Sequence, residues 1–196
     1  MIAHVDTHPL TPTIRALLDR ARAAAAVLAS SSGRARTQVL LSAADRLDAA
    51  HAEILEANAQ DLSDAKELAK GPAFLDRLTL TPKGLGQLSA ALREIAAMAD
   101  PVGAVTGGGV RPNGMQVLRQ RIPLGVIGMI YEARPGVTVD AAALCLKAGN
   151  SVVLRGGSEA RRSNAALGDL MRSALADAGL PGDALLQLPM TDRAAV

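Results

Sequence analysis

After Pro123 the sequence alternates short apolar runs with longer amphipathic segments, and this alternation restricts the fold more than any other feature. Residues 126–131 form an apolar run of strand type, 137–148 read as a helix, and Gly149-Asn150 supplies a left-handed stop. Residues 151–154 make a second strand, followed by the glycine turn Arg155-Gly156-Gly157-Ser158. A further helix over 161–178 ends at Gly179, and 184–188 begin a third strand. Strand, helix, strand, helix, strand implies parallel pairing with right-handed crossovers. The expected class is therefore α/β. Ligands in such sheets bind beyond the carboxyl ends of the strands, here Tyr131 to Arg134, Arg155 to Glu159, and the region after Leu188.

The first hundred residues read as helical. Thr11-Pro12 and Thr81-Pro82 each place a capping hydroxyl before a proline at the first helical position. The pattern predicts helices over 12–29, 36–58 and 82–98, with a short helix capped by Asp61 and running to about residue 70. In the second, Leu40, Ala43, Leu47, Ala50 and Ile54 recur at three- and four-residue steps, which makes one buried stripe. Asp100-Pro101 then changes the texture. Asn113-Gly114 is a strong hairpin dipeptide, predicting antiparallel strands near 102–106 and 115–122. Such a ribbon is marginal alone and needs a partner surface.

Composition narrows the function classes. Hydrophobic residues make up 49% of the 196, so a real core is expected, yet there is one Phe, one Tyr and no Trp. That core must be built of Ala, Leu, Val and Ile. The net charge is +2 with acidic and basic residues interleaved. Nucleic-acid binding needs clustered cations and stacking platforms, and neither is visible. No run approaches the roughly 20 apolar residues that span a bilayer, and the first residues lack the pattern of a signal peptide. A cytoplasmic protein is expected, without nucleic-acid or membrane partners.

Cys145 is the single cysteine. It sits late in an apolar helix without a helix start, base or cation facing it, so an inert core thiol is expected. His4, His8 and His51 have no spacing that would hold a metal. Gly107-Gly108-Gly109 does not open a helix and reads as hairpin flexibility. Gly125 and Gly128 lack the spacing of a dinucleotide fingerprint. The turn from Arg155 to Ser158 is more informative. Glycine admits a ligand to the backbone, and an arginine binds phosphate through paired hydrogen bonds, so an adenosine ribose with its 2′-phosphate fits. A solvated arginine on a structural turn fits the spacing equally well.

The stretch RIPLGVIGMIYEARPGVTVDAAALCLKAGNSVVLRGGSEA, residues 121–160, closely resembles the glutamate-5-semialdehyde dehydrogenase (gamma-glutamyl phosphate reductase) family of the aldehyde dehydrogenase superfamily. ILEANAQDL (54–62), FLDRLTLT (74–81), DPVG (100–103), RPNG (111–114) and LPMTDRAAV (188–196) extend the likeness over nearly the whole chain. The resemblance implies a partial NADP-binding domain: a helical region over 1–100, an oligomerisation hairpin over 101–122, and the first strands of a Rossmann-like sheet over 123–196. It implies reduction of L-glutamyl 5-phosphate to L-glutamate 5-semialdehyde and phosphate with NADPH, in proline biosynthesis. Homo-oligomerisation through the 103–122 hairpin and coupling to glutamate 5-kinase follow by the same kinship.

The expected cofactor-binding residues are Tyr131, Glu132, Ala133, Arg134, Arg155, Gly156, Gly157 and Ser158. A serine rather than a glutamate at 158 suits NADP by this resemblance. The family's catalytic cysteine is expected downstream of Val196, so no catalytic residue is assigned in this chain, which alone is expected to be inactive. The alternative is an isolated NADP-binding or oligomerisation module without catalysis. One departure is local, since many relatives carry Asn where this chain has Gly136.

Overall fold

A computed structural model of the chain describes residues 11–188. Three strands form the parallel sheet: β3 (Val126–Ile130), β4 (Ser151–Arg155) and β5 (Leu185–Gln187), in the order β3-β4-β5. Helix α6 (Val137–Lys147) crosses from β3 to β4, and α7 (Arg161–Asp177) crosses from β4 to β5. The expected stop after α6 is formed: Gly149 has φ of 76°, and the Asn150 N–H reaches back to the Cys145 carbonyl at 2.9 Å. Positive φ favours glycine there because a side chain would crowd the next carbonyl.

Alternation along β4 sorts its side chains between two layers. Val152 and Leu154 face a core shared with Val139, Leu146, Leu167 and Met171 of α6 and α7. Val153 faces the other way, with Leu186 and Ala21, the last on α1 (Thr11–Ser30). Ser151 adds a bond from its hydroxyl to the Ala21 carbonyl at 2.9 Å. Helices α2 (Gly33–Ala49), α3 (His51–Glu67) and α5 (Pro82–Ala97) supply Leu40, Leu47, Ile54, Leu85 and Leu92 to the larger cluster. The helical part and the sheet therefore share one core, built of Ala, Leu, Val and Ile as the composition requires.

Four details depart from the sequence reading. The helix expected over 36–58 is two, broken at Ala50, whose φ of −100° and ψ of 13° leave the helical region. Asp61 does not cap a short helix of its own; it lies inside α3 and is 2% exposed. There it accepts from the Arg162 N–H at 3.2 Å, the Ser163 N–H at 2.8 Å and the Ser163 hydroxyl at 2.7 Å, so it caps the start of α7. A seven-residue helix α4 (Pro72–Leu78) was not anticipated, although Gly71-Pro72 is a start signal. The hairpin strands are β1 (Val105–Val110) and β2 (Gln116–Gln120), so Gly107 to Gly109 lie within a strand and the expected strand near 102–106 begins later.

Two local expectations, a cap and a turn, are met. The Thr81 hydroxyl accepts from the Gly84 N–H at 3.0 Å and caps α5. The Asn113-Gly114 turn closes with bonds from the Arg111 N–H to the Met115 carbonyl and from the Gly114 N–H to the Arg111 carbonyl, both 2.8 Å. Among the described residues, no helix is long and apolar enough to cross a membrane.

Candidate functional site

The parallel register pairs Ile130 with Arg155 and Leu154 with Gln187, so the carboxyl ends of all three strands meet. Beyond β3 the Tyr131 N–H donates to the Arg155 carbonyl at 3.0 Å. The Tyr131 side chain turns inward, and its hydroxyl lies 2.7 Å from Thr138 Oγ1 on α6. Thr138 gives its own proton to Asn164 Oδ1 on α7, at 3.1 Å. A hydroxyl has one proton, so Tyr131 is the donor in the first bond. Burial raises the Tyr131 phenol above its ordinary range. The phenol therefore stays protonated. Gln187 Nε2, on β5, donates to the Asn164 carbonyl at 2.5 Å. One polar chain thus links β3, α6, α7 and β5.

The glycine turn sits on that chain. A Cβ at Gly156 would lie 2.2 Å from Asn164 Nδ2 and 3.2 Å from Tyr131 Cζ, so only glycine lets the backbone pass. The result is a cavity of about 220 Å³ at the strand ends, lined by Tyr131, Gly156, Gly157, Arg161, Asn164 and Gln187 among others. A second depression, of about 290 Å³, is lined by Arg77, Tyr131, Glu132, Ala133, Arg134 and Val137. Tyr131 borders both.

The eight residues singled out from the sequence therefore fall in three places. Gly156 and Gly157 line the first cavity with Tyr131, whereas Glu132, Ala133 and Arg134 line the second depression. Ala133 is also packed against Ala65, Leu78 and Ala160. Arg155 ends β4 and is half-buried, while Ser158 is exposed on a single 3-10 turn over Ser158–Ala160. The Ser158 hydroxyl donates to Glu159 Oε2 at 3.1 Å. A Cβ at Gly157 would lie 2.8 Å from Glu159 Cδ, so the carboxylate folds back against the turn. Sequence reasoning passed over Asn164 and Gln187. Asn164 could have been found as a polar residue on the buried stripe of α7, between Ser163 and Leu167.

Cys145 is buried, and desolvation pushes its thiol up, away from the reactive thiolate. Its neighbour Lys147 is turned elsewhere, donating to the Ala96 carbonyl at 2.8 Å and Thr37 Oγ1 at 3.0 Å. Among the described residues no group of three His, Cys, Asp or Glu could hold a metal ion; His4 and His8 lie outside them, as do residues 189–196. Gly136 precedes α6 with φ of −56°, and a Cβ there would meet Leu88 at 3.5 Å, an ordinary contact. The backbone thus does not require glycine at this position.

Comparison with known proteins gives a consistent set of relatives. The model of the aldehyde dehydrogenase family matches residues 6–195. Gamma-glutamyl phosphate reductase of Xanthomonas campestris pv. campestris (strain 8004) is 54% identical over 173 residues, which is 88% of this chain and 42% of that protein. The enzyme of the same name from Meiothermus ruber is 50% identical over 186 residues, 95% of this chain and 45% of that protein. Among solved structures, the gamma-glutamyl phosphate reductase of Thermotoga maritima superposes with a TM-score of 0.89 at 36% identity, covering 92% of this chain and 44% of that one. The Saccharomyces cerevisiae counterpart gives 0.86 at 27% identity, with 92% and 47% covered. The chain thus spans less than half the length of these relatives.

Proposed function

The chain belongs to the aldehyde dehydrogenase family, and from that premise we propose that it forms the nucleotide-side part of a gamma-glutamyl phosphate reductase. The parent enzyme in this reading is a cytoplasmic oxidoreductase of proline biosynthesis that converts L-glutamyl 5-phosphate to L-glutamate 5-semialdehyde and phosphate, using NADPH. The observation that carries it is 54% and 50% identity to two reductases of that name across nearly the whole chain. The reading divides the chain into the helical region over 1–100, an assembly hairpin over 101–122 and the nucleotide-binding part over 123–196.

The residues fit a dinucleotide. Gly156 and Gly157 line the cavity at the carboxyl end of a central parallel strand, where no side chain of their own covers the backbone. Arg155 and Ser158 would meet the adenosine ribose and its 2′-phosphate, with Tyr131 to Arg134 on the adjoining wall. NADPH, when bound, supplies the hydride. This chain's part is to orient the cofactor with the glycine turn and to keep the Tyr131 ring fixed in the cavity wall through its bond to Thr138. Its only cysteine is buried and protonated, so the acyl-transfer nucleophile is not among residues 11–188.

A second reading follows from that thiol: on its own the chain captures NADP, or associates through the hairpin, without redox chemistry. Calorimetric titration with NADPH tests the cofactor part, and no heat at millimolar nucleotide would count against it. Following NADPH oxidation with enzymatically generated gamma-glutamyl phosphate tests the rest. No turnover is expected from the chain alone, and turnover would overturn the assignment of Cys145 as inert.

A further inference from the structure

Building on the reading that the Arg155–Ser158 turn receives the adenosine ribose, we propose that Glu159 sets the choice between a ribose 2′-hydroxyl and a 2′-phosphate. The geometry is local. The Ser158 hydroxyl gives its one proton to Glu159 Oε2 at 3.1 Å. What it offers outward is therefore only lone pairs. A ribose hydroxyl can donate to them; a phosphate, which only accepts, cannot use them. For a 2′-phosphate to be bound by Ser158, the Ser158–Glu159 bond has to break and the hydroxyl has to turn.

Charge acts in the same direction. The Glu159 carboxylate lies against Gly157, where an added Cβ would be 2.8 Å from both Cδ and Oε2. An anion arriving at Ser158 meets that carboxylate at short range, while Arg155 and Arg161 on either side of the turn attract it. Nucleotide preference is thus a balance between two arginines and one glutamate. The glutamate is a specificity residue that acts largely through its neighbour. The identity of residue 158 alone, which suits NADP, leaves this opposing contribution out.

The test uses the full 196-residue chain, with NADPH and NADH titrated by calorimetry into the wild type, Glu159→Gln and Gly157→Ala. Glu159→Gln removes the charge and weakens the Ser158 bond to a neutral one, and should raise the affinity for NADPH relative to NADH by roughly tenfold. Gly157→Ala keeps the charge but displaces the carboxylate, and should raise the same ratio by a smaller factor. Circular dichroism checks that each variant keeps its helices, and the alanine variant carries the test if the glutamine variant does not fold. If both nucleotides bind the wild type and neither folded variant changes the ratio, Glu159 is not the discriminator, and the site itself stands. If neither nucleotide binds the wild type, the nucleotide site falls and the discriminator falls with it.

Discussion

β2 and β4 are both five-residue strands, yet every residue of β2 is exposed while β4 is buried from Ser151 to Leu154. The difference lies in what covers them. β4 is paired on both edges and sends alternate side chains into α1 on one face and α6 with α7 on the other. Among the described residues β2 is paired with β1 alone, and the ribbon leaves Leu118 68%, Val105 57% and Val110 68% exposed. Burial of both faces fixes register and order in the first case. In the second, order depends on the turn at Asn113-Gly114 and on the root of the ribbon. That root is polar: Arg36 bonds both oxygens of Asp100 at 2.9 and 2.7 Å, and Asp100 accepts from the Val102 N–H at 3.0 Å. The sheet is packed; the ribbon is anchored.

The sharpest way to break this contrast is Leu154→Ala. Leu154 is fully buried on the central strand, so the variant should lose about 3 kcal/mol of stability from lost burial and the cavity left behind. Urea unfolding would show it as a lower midpoint at an unchanged slope. A loss below about 1 kcal/mol would mean that β4 is not the packed centre. Asp100→Ala comes next. It leaves the Arg36 guanidinium, 2% exposed, without its carboxylate, at a cost of about 2 kcal/mol. The figure is set below that of a fully buried pair because the Asp100 side chain is 35% exposed. Hydrogen exchange should quicken in the ribbon amides more than in β4, and equal quickening would refute the anchoring role.

Acid should loosen the helical layer before it loosens the sheet. Asp177 is held down to about 2, from an ordinary 3.8, first by Arg46 and then by the Ser42 hydroxyl, contacts that tie α7 to α2. A carboxylate whose folded pKa is depressed adds stability above its unfolded value and loses that contribution as pH falls toward the folded one. The contribution is therefore complete above about pH 4 and is lost on approaching pH 2. Asp177→Asn should flatten that part of the acid limb in unfolding measurements; an unchanged slope would rule the pair out as a contributor. The smallest expected effect is Leu118→Ser, within about 0.5 kcal/mol because the side chain is on the surface. If the ribbon associates with another copy, sedimentation should show weaker association with stability unchanged. A loss of stability above about 1 kcal/mol in the monomer would show the ribbon to be packed after all.

Local chemistry made much of this legible. Thr81 before Pro82, Gly149 after a helix, and Asn113-Gly114 each carry their structural consequence within a few residues. The break at Ala50 does not, because Leu47, Ala50 and Ile54 keep helical spacing across it and neither Gly nor Pro marks it. It is resolved by packing, since α3 lies against α7 and fixes Asp61 at its start. The site divides in the same way. Gly156 and Gly157 could be read as a place of close approach, but the reason at Gly156 is Asn164, brought there by the α7 crossover, and at Gly157 it is the Glu159 carboxylate. Tyr131, Thr138, Asn164 and Gln187 span 57 positions of sequence, counted from 131 to 187 inclusive, and no pattern joins them before the sheet forms.

The Asp61 cap has a consequence for electrostatics at the strand ends. In most doubly wound sheets the helix that follows a glycine turn offers bare amides and a positive dipole end, a ready seat for phosphate. Here α3 has already filled that seat, because a carboxylate of the protein takes the amides of Arg162 and Ser163. The chain carries its own resident anion at the start of α7. Attraction for an incoming phosphate then rests on arginine side chains around the turn, not on the backbone of α7. The cap on α7 is therefore separable from the phosphate preference proposed for the turn, since the amides it fills belong to Arg162 and Ser163 and not to residues 155–158.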